Sequence, residues 1–180
     1  SSSELKSPTI GTGAPPAFCA GADLKAKPGE HTGGREVPYP QLLAQMQDNP
    51  KPVIVAVNGA AFAGGLGLVG AADIAITADN VSFSFSEVRI GVIPAVISVV
   101  CLPKIGAHHG MKLFLTGEKF TAAQAVDMGL LHEAVPADRL ESAVQEVINQ
   151  IALGGPIAVA EAKRLVRRVP QLSREDAFAE

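Results

Sequence analysis

Tryptophan is absent from this 180-residue chain and tyrosine occurs once, so that aromatic residues make up only 4% of the sequence. A hydrophobic core is still expected, because 47% of the residues are apolar and a chain of this length buries roughly 70% of the surface that its unfolded form exposes. That core must be packed mainly from aliphatic side chains. By length and composition, the chain is one ordinary globular domain.

Cysteine, positive charge and long apolar runs are also scarce. Cys19 and Cys101 are too few for the disulfide framework of a small secreted protein, so we expect free thiols. A net charge of −3 argues against a nucleic-acid or anionic-membrane partner. No apolar run reaches the ~18 residues of a membrane-spanning helix, and no secretory signal pattern is present. We therefore expect a cytoplasmic protein with no membrane span.

Strand-like and helix-like segments alternate along the chain. Val53–Val57 is continuously apolar and β-branched, which is typical of a strand covered on both faces. Residues 64–72 are small and apolar and predict a buried helix. Further strands are predicted at 74–77, 81–85 and 130–135, and further helices at 41–47, 106–115, 121–128, 137–153 and from Pro156 onward. The alternation predicts an α/β fold.

Two segments predict loops. Residues 1–17 are rich in Ser, Pro, Gly and Thr, and within them 8–16 is a poor candidate for a strand. Residues 25–40 contain Pro-Gly, Gly-Gly and Pro-Tyr-Pro and predict a long loop of the kind that often covers a binding site.

Several polar groups have more ordinary interpretations than catalysis. The basic side chains near the end of the last predicted long helix are favoured by the helix dipole, and a phosphate contact is the alternative; they are Arg164, Arg167 and Arg168. Asp73 and Asp79 flank a predicted strand and are expected to cap or turn the chain. His108 and His109 have no third ligand at a fitting spacing, so no metal site is predicted.

The most informative segment is 52–94, where a glycine-dense turn precedes one isolated carboxylate, Glu87. A literal GxGxxG pattern is formed by Gly65, Gly67 and Gly70. Such a pattern is typical of dinucleotide-binding folds, but there the first glycine directly follows the strand. Here residues 58–64 intervene, and Asp79 lies too near to be the expected acid. A dinucleotide-binding oxidoreductase is therefore weaker as a hypothesis than the two that are given below.

A second run of small residues, FCAGADL at 18–24, suggests a different site. One backbone N–H group from this run and one near Gly64 could point at a single oxygen and form an oxyanion hole. With FCAGADL, PKPVIVAVNGAAFAGG and DIAITADNVSFSFSEVRIGVIP in this order, the chain resembles the crotonase superfamily, the enoyl-CoA hydratase/isomerase family. The resemblance covers residues 17–169.

The resemblance implies an architecture and a substrate. The fold would be an α/β, crotonase-like fold of repeated ββα units with C-terminal helices, lacking parts of both ends. Residues 1–135 would form the core with the acyl-CoA site, and residues 136–180 a helical region used in oligomerisation. The partner would be an acyl-CoA thioester, with no cofactor because coenzyme A is part of the substrate, and the assembly would be a homotrimer or hexamer.

The resemblance also implies the site residues. The N–H groups of Ala20 and Gly64 would hold the thioester carbonyl, and Glu87 would be the general acid/base. The residues that bind substrate or CoA would be Ala20, Gly21, Ala22, Asp23, Leu24 and Gly64. Typical hydratases use two glutamates, and the position of the first falls on Gly67 in this chain.

The missing carboxylate keeps more than one hypothesis open. The first is an acyl-CoA enzyme, either a hydratase or a double-bond isomerase, for which the single base Glu87 would suffice. The second is a catalytically impaired relative that still binds acyl-CoA. For Glu87 itself, the alternative is a structural side chain that is solvated or paired with Arg89. The length of the acyl chain is not encoded in any recognisable motif.

Overall fold

A computed structural model describes residues 8–13, 17–19 and 37–180. The predicted site residues 20–24 and most of the predicted loop 25–40 lie outside the described residues. Strands in the described part are β1 (Thr9–Thr12), β2 (Ala17–Cys19), β3 (Val53–Val57), β4 (Ala60–Phe62), β5 (Ile74–Ala78), β6 (Ser82–Ser84), β7 (Lys119–Thr121) and β8 (Glu133–Val135). Helices there are α1 (Tyr39–Asp48), α2 (Gly64–Ala71), α3 (Ala95–Thr116), α4 (Ala122–Asp127), α5 (Leu140–Ala152), α6 (Pro156–Arg168) and α7 (Arg174–Ala179).

The first sheet is parallel throughout, in the order β1-β3-β5-β8. Every residue of β3 is buried, as the continuous apolar run predicts for a strand covered on both faces. The register pairs Ile54 with Ile10 on one side and with Ile74 on the other. Along the chain, β3 of this sheet is followed by β4 and then by α2.

The second sheet has the order β2-β4-β6-β7, with only the β6–β7 pair antiparallel. Its strands are three residues long, too short to show a clear period of two in the sequence. β4 lies between β3 and α2 along the chain. This intervening strand is why the glycine pattern does not directly follow the buried strand, as it would in a dinucleotide-binding fold.

The few aromatic side chains are grouped in one place. Phe83 stacks on Phe120 with ring centroids 5.7 Å apart, and Phe85 packs against Phe114 at 4.7 Å. Most of the remaining core is aliphatic, as the composition predicts. α5 adds Leu140, Ala143 and Val144 to it from the C-terminal part of the chain.

Several expectations need correction. Thr9–Thr12 is a strand rather than a loop, because its backbone pairs with the preformed edge of β3 although its own sequence is a poor strand former. α1 begins at Tyr39, two residues before the predicted start, with Pro40 accommodated in its first turn. α3 begins at Ala95 rather than Gly106; Gly106 instead breaks it at a φ of 71°.

Other expectations are confirmed. α2 spans nearly all of the predicted helix, and α4 begins after Thr121, whose hydroxyl accepts a hydrogen bond from the N–H of Gln124 in a capping box. α6 begins at Pro156 as predicted. None of the described helices combines the length and the apolar character needed to cross a membrane.

Candidate active site

The N-terminus of α2 has no side-chain cap. Ala63 precedes the helix with a φ of 47° and a ψ of −116°, and it offers no side chain to cap the first turn. A helix start leaves its first N–H groups without partners inside the helix, and the helix dipole makes this end partly positive. Gly64 therefore begins a helix whose first turn can bind an oxygen that carries negative charge.

The two small-residue segments meet at this helix start. A Cβ on Gly65 would clash with the carbonyl group of Cys19 and would lie 2.9 Å from the Cys19 Cβ. The end of β2, one residue before Ala20, thus lies directly against the first turn of α2. Glycine at position 65 permits this close approach. The side of the site formed by residues 20–24 is outside the described residues.

Glu87 lies in a short 3-10 turn, Ser86–Ile90, that follows β6. It is only 9% exposed, and it is the one buried carboxyl group among the described residues. Its Oε2 atom is buried without a hydrogen-bond partner in that part of the chain. Burial raises the pKa of Glu87 above the ordinary value of 4.5, against a smaller opposing effect of its own backbone N–H. A buried carboxylate oxygen without a donor is suited to proton transfer.

Arg89 does not pair with Glu87. Its Nε lies 3.4 Å from the carbonyl oxygen of Thr116, and its side chain packs beside Gly117. The interpretation of Glu87 as one half of a structural ion pair with Arg89 is therefore wrong.

Tyr39 is the site residue that sequence reasoning missed. α1 carries its ring across the first turns of α2, where its hydroxyl donates a hydrogen bond to the carbonyl oxygen of Gly64. A Cβ on Gly67 would overlap this hydroxyl and would lie 2.8 Å from the Cγ2 of Ile97. The Tyr39 hydroxyl thus fills the space that a side chain at position 67 would enter. No spacing in the sequence indicates this contact, which joins residues 28 positions apart.

The ionisation of Tyr39 is tied to the same surroundings. Burial raises the pKa of its phenol strongly, and the thiols of Cys101 and Cys19 and the carboxylate of Glu87 raise it further. The phenol is therefore neutral at physiological pH. The start of α2 is joined to the segment that carries Glu87 by a backbone hydrogen bond, in which the N–H of Ala63 donates to the carbonyl oxygen of Ser84 at 3.1 Å.

The C-terminal end of α2 is closed by cations. Lys104 Nζ donates to the carbonyl oxygens of Ala72 (2.8 Å) and Val69 (3.4 Å), and burial lowers the pKa of Lys104 to about 8. Asp73 accepts hydrogen bonds from the Val53 N–H and from Lys163, both at 2.7 Å, and from Arg167 at 2.5 Å. This cluster joins α6 to the end of α2 and to β3.

The remaining candidates have structural roles. Arg164 and Arg168 pair with Glu180, and Arg164 also pairs with Glu161, so these arginines have carboxylate partners within the protein. A Cβ on Gly70 would lie 2.7 Å from the Sγ of Cys101, which shows that this glycine lets α2 and α3 pack closely. His108 and His109 are exposed, with their rings edge to face and 5.3 Å apart.

The chain is similar to known proteins of one family. The enoyl-CoA hydratase/isomerase family matches residues 8–179. Carnitinyl-CoA dehydratase from Proteus mirabilis is 36% identical over 169 residues. Two similar crystal structures are an enoyl-CoA hydratase from Shewanella pealeana (33% identity, TM-score 0.74) and one from Mycobacterium smegmatis (28% identity, TM-score 0.81).

The matches cover most of this chain but less of the relatives. They include 89% of this chain and 63% of the Proteus dehydratase. For the solved structures, the figures are 78% and 53% for the Shewanella hydratase, and 91% and 65% for the mycobacterial one. The chain therefore spans less than two thirds of the length of these relatives.

Proposed function

Because the chain belongs to the enoyl-CoA hydratase/isomerase family, we propose that it acts on acyl-CoA thioesters by proton transfer next to the thioester carbonyl. One observation carries the proposal. Glu87 is buried with one carboxylate oxygen unpartnered among the described residues, and it follows by three residues Ser84, whose carbonyl oxygen accepts a hydrogen bond from the N–H of Ala63 directly before α2. This proximity supports a site in which Glu87 is the base and the start of α2 binds the oxyanion.

The helix start would bind the thioester oxygen. The N–H of Gly64 is the proposed donor from α2, and the N–H of Ala20 is the proposed second donor from the segment that follows β2. Removal of an α-proton converts the thioester into an enolate, whose negative oxygen is stabilised by two such donors and by the helix dipole. Residues 20–24 are proposed to line the path of the CoA moiety, and no further cofactor is needed for this chemistry.

Glu87 would then move the proton. Its raised pKa brings the carboxylate closer to the range in which a group can both accept and return a proton at neutral pH. Double-bond isomerisation of an enoyl-CoA requires only this: the proton leaves one carbon, the double bond shifts through the enolate, and Glu87 returns the proton to another carbon. Fatty-acid or related acyl-CoA metabolism is the proposed context.

Self-association is a further part of the proposal. Apolar side chains are exposed over the turn after β6 and the first half of α3, and they are Val88, Ile90, Val92, Ile93, Val96 and Val99. An exposed apolar surface of this kind is typical of protein interfaces. It supports the proposed homotrimer or hexamer, which light scattering on the purified protein would test. The expected cytoplasmic location stays a prediction.

Assays with 2-enoyl-CoA and 3-enoyl-CoA test the proposed function. Hydration removes the absorbance of the conjugated enoyl thioester, and isomerisation of a 3-enoyl-CoA creates it. We expect Glu87→Gln to lower turnover by roughly 10²–10⁴-fold, the usual contribution of a general acid/base. Glu133→Gln is the matched control, because Glu133 is exposed on β8.

Two results would contradict the proposal. Full activity in Glu87→Gln would show that another group moves the proton. Thioester binding by the wild type without turnover of either substrate would instead favour an impaired acyl-CoA-binding relative.

A further inference from the structure

The proposed function leaves one question about the site. A single carboxylate suffices to shift a double bond, but the addition of water also requires a group that holds the water beside the β-carbon. The resemblance places a glutamate at position 67 for this purpose, and the chain has Gly67. The Tyr39 hydroxyl lies in the space that a side chain at this position would enter.

The hydrogen bonding of Tyr39 determines what the hydroxyl can do there. A phenol has one proton to donate and two lone pairs that accept. The proton is donated to the carbonyl oxygen of Gly64. No donor to this hydroxyl occurs among the described residues, which leaves its lone pairs for a substrate group. The neutral phenol can orient a water molecule without removing its proton.

We propose that the Tyr39 hydroxyl is the second polar contact of the reacting centre and accepts a hydrogen bond from the water, or product hydroxyl, at the β-carbon of the acyl group. This rests on the proposed function. The water oxygen forms a bond to the β-carbon, and the π electrons of the double bond move into the enolate held at Gly64. The water gives one proton to Glu87, which passes it to the α-carbon. The sum is one water added to a 2-enoyl-CoA to give a 3-hydroxyacyl-CoA.

Close packing makes this role specific to Tyr39. Gly67 is buried in the middle of α2, between the Tyr39 hydroxyl and Ile97 of α3. A side chain at position 67 and the Tyr39 hydroxyl cannot occupy this space together. Among the described residues, the Tyr39 hydroxyl is the polar group that occupies this space, and it comes from α1 rather than from α2.

Tyr39→Phe is the decisive variant because it keeps the ring and removes only the hydroxyl. We expect hydration of 2-enoyl-CoA to fall about tenfold more than isomerisation of 3-enoyl-CoA, a factor typical of one lost neutral hydrogen bond. Equal losses would overturn the proposal, because weakening the Tyr39–Gly64 hydrogen bond alone would disturb the oxyanion site that both reactions use. Gln45→Ala, exposed on the same helix, is the control and should change neither rate.

The wild-type activities separate this inference from the proposed function. A wild type that isomerises but does not hydrate overturns the role of Tyr39 and leaves the proposed function standing. A wild type with neither activity, or an active Glu87→Gln, overturns the proposed function and this inference with it.

A spectroscopic test needs no variant. Tyr39 is the only tyrosine and tryptophan is absent, so tyrosine fluorescence reports on this residue alone. We expect saturating 3-hydroxyacyl-CoA to change the fluorescence relative to the saturated acyl-CoA of equal length, because only the former has a hydroxyl at the β-carbon. Identical spectra for the two bound ligands would overturn the proposal.

Discussion

The two ends of α2 are treated in opposite ways. At its C-terminal end, Lys104 and Arg167 donate hydrogen bonds to backbone carbonyl oxygens. Asp73 accepts hydrogen bonds from Lys163, Arg167 and the N–H of Val53. At its N-terminal end, Ala63 provides no cap, and the nearby Glu87 has a buried oxygen without a partner among the described residues. Charged side chains thus bond the C-terminal end of α2, although Arg167 Nε is itself buried without a partner among the described residues, whereas no described side chain caps the N-terminal end.

This difference follows from the helix dipole and its place in the fold. Cations at the C-terminal end stabilise the helix and fix it against β3 and α6. The N-terminal end would also be stabilised by an anion, yet no side chain makes a capping hydrogen bond to its first turn. An enolate oxygen would supply the missing negative charge during reaction. The ion pairs and hydrogen bonds at the C-terminal end of α2 thus fix the position of its N-terminal end.

The largest predicted effect on the free energy of unfolding comes from removing the carboxylate at the C-terminal end of α2. Asp73→Ala would leave Lys163 and Arg167 without their carboxylate, and the side chain of Lys163 is only 9% exposed. Breaking a largely buried ion pair from one side typically costs about 3 kcal/mol. We expect urea unfolding to show a loss of that size.

Asp79→Asn is the control for this experiment. Asp79 follows the other end of β5 and is exposed, so its substitution should change the unfolding free energy by less than about 0.5 kcal/mol. Equal effects of the two substitutions would show that the charge cluster does not secure α2.

A smaller effect on the free energy of unfolding is expected at the N-terminal end of α2. Ala63 has a φ of 47°, a region that costs a residue with a Cβ about 1–3 kcal/mol. Ala63→Gly should relieve this strain and raise the unfolding free energy by about 1 kcal/mol. Ala44→Gly, at an exposed position within α1, should lower it by about 1 kcal/mol. Destabilisation by both substitutions would argue against strain before α2.

Glu87 should make the folded protein sensitive to pH, with the smallest change of the three. Because burial raises its pKa, its contribution to stability is fully present below pH 4.5 and is lost as the pH rises through the folded-state pKa. Glu87→Gln should therefore be more stable than the wild type at neutral pH. The difference in unfolding free energy between the two proteins, measured by urea unfolding across pH, should shrink on acidification. A constant difference would contradict a carboxyl group whose pKa is raised by burial.

The sequence predicts the elements that have strong local patterns. β3 and α2 could be predicted because their apolar runs and flanking residues agree with their structures. β1 could not, because Thr9–Thr12 is a strand only through its pairing with β3. The first half of α3 was also missed, since its β-branched residues, such as Val96 and Val99, have low helix propensity and tertiary packing decides the outcome.

The candidate site divides in the same way. Glu87 and Gly64 could be named from the motifs, and the structure shows that Glu87 is buried and that Gly64 begins α2. Tyr39 could not be named, because its relation to Gly67 depends on how α1 crosses α2. Ala20 and its neighbours to Leu24 stay predictions, as they lie outside the described residues.

Proton exchange at the α-carbon tests the central claim most directly. A saturated acyl-CoA can be neither hydrated nor isomerised. In D₂O, its α-protons would therefore be replaced only through an enolate bound at the N-terminus of α2. We predict that the wild-type protein exchanges these protons, as followed by mass spectrometry, and that Glu87→Gln binds the same thioester without exchanging them. Undiminished exchange in Glu87→Gln would contradict the account.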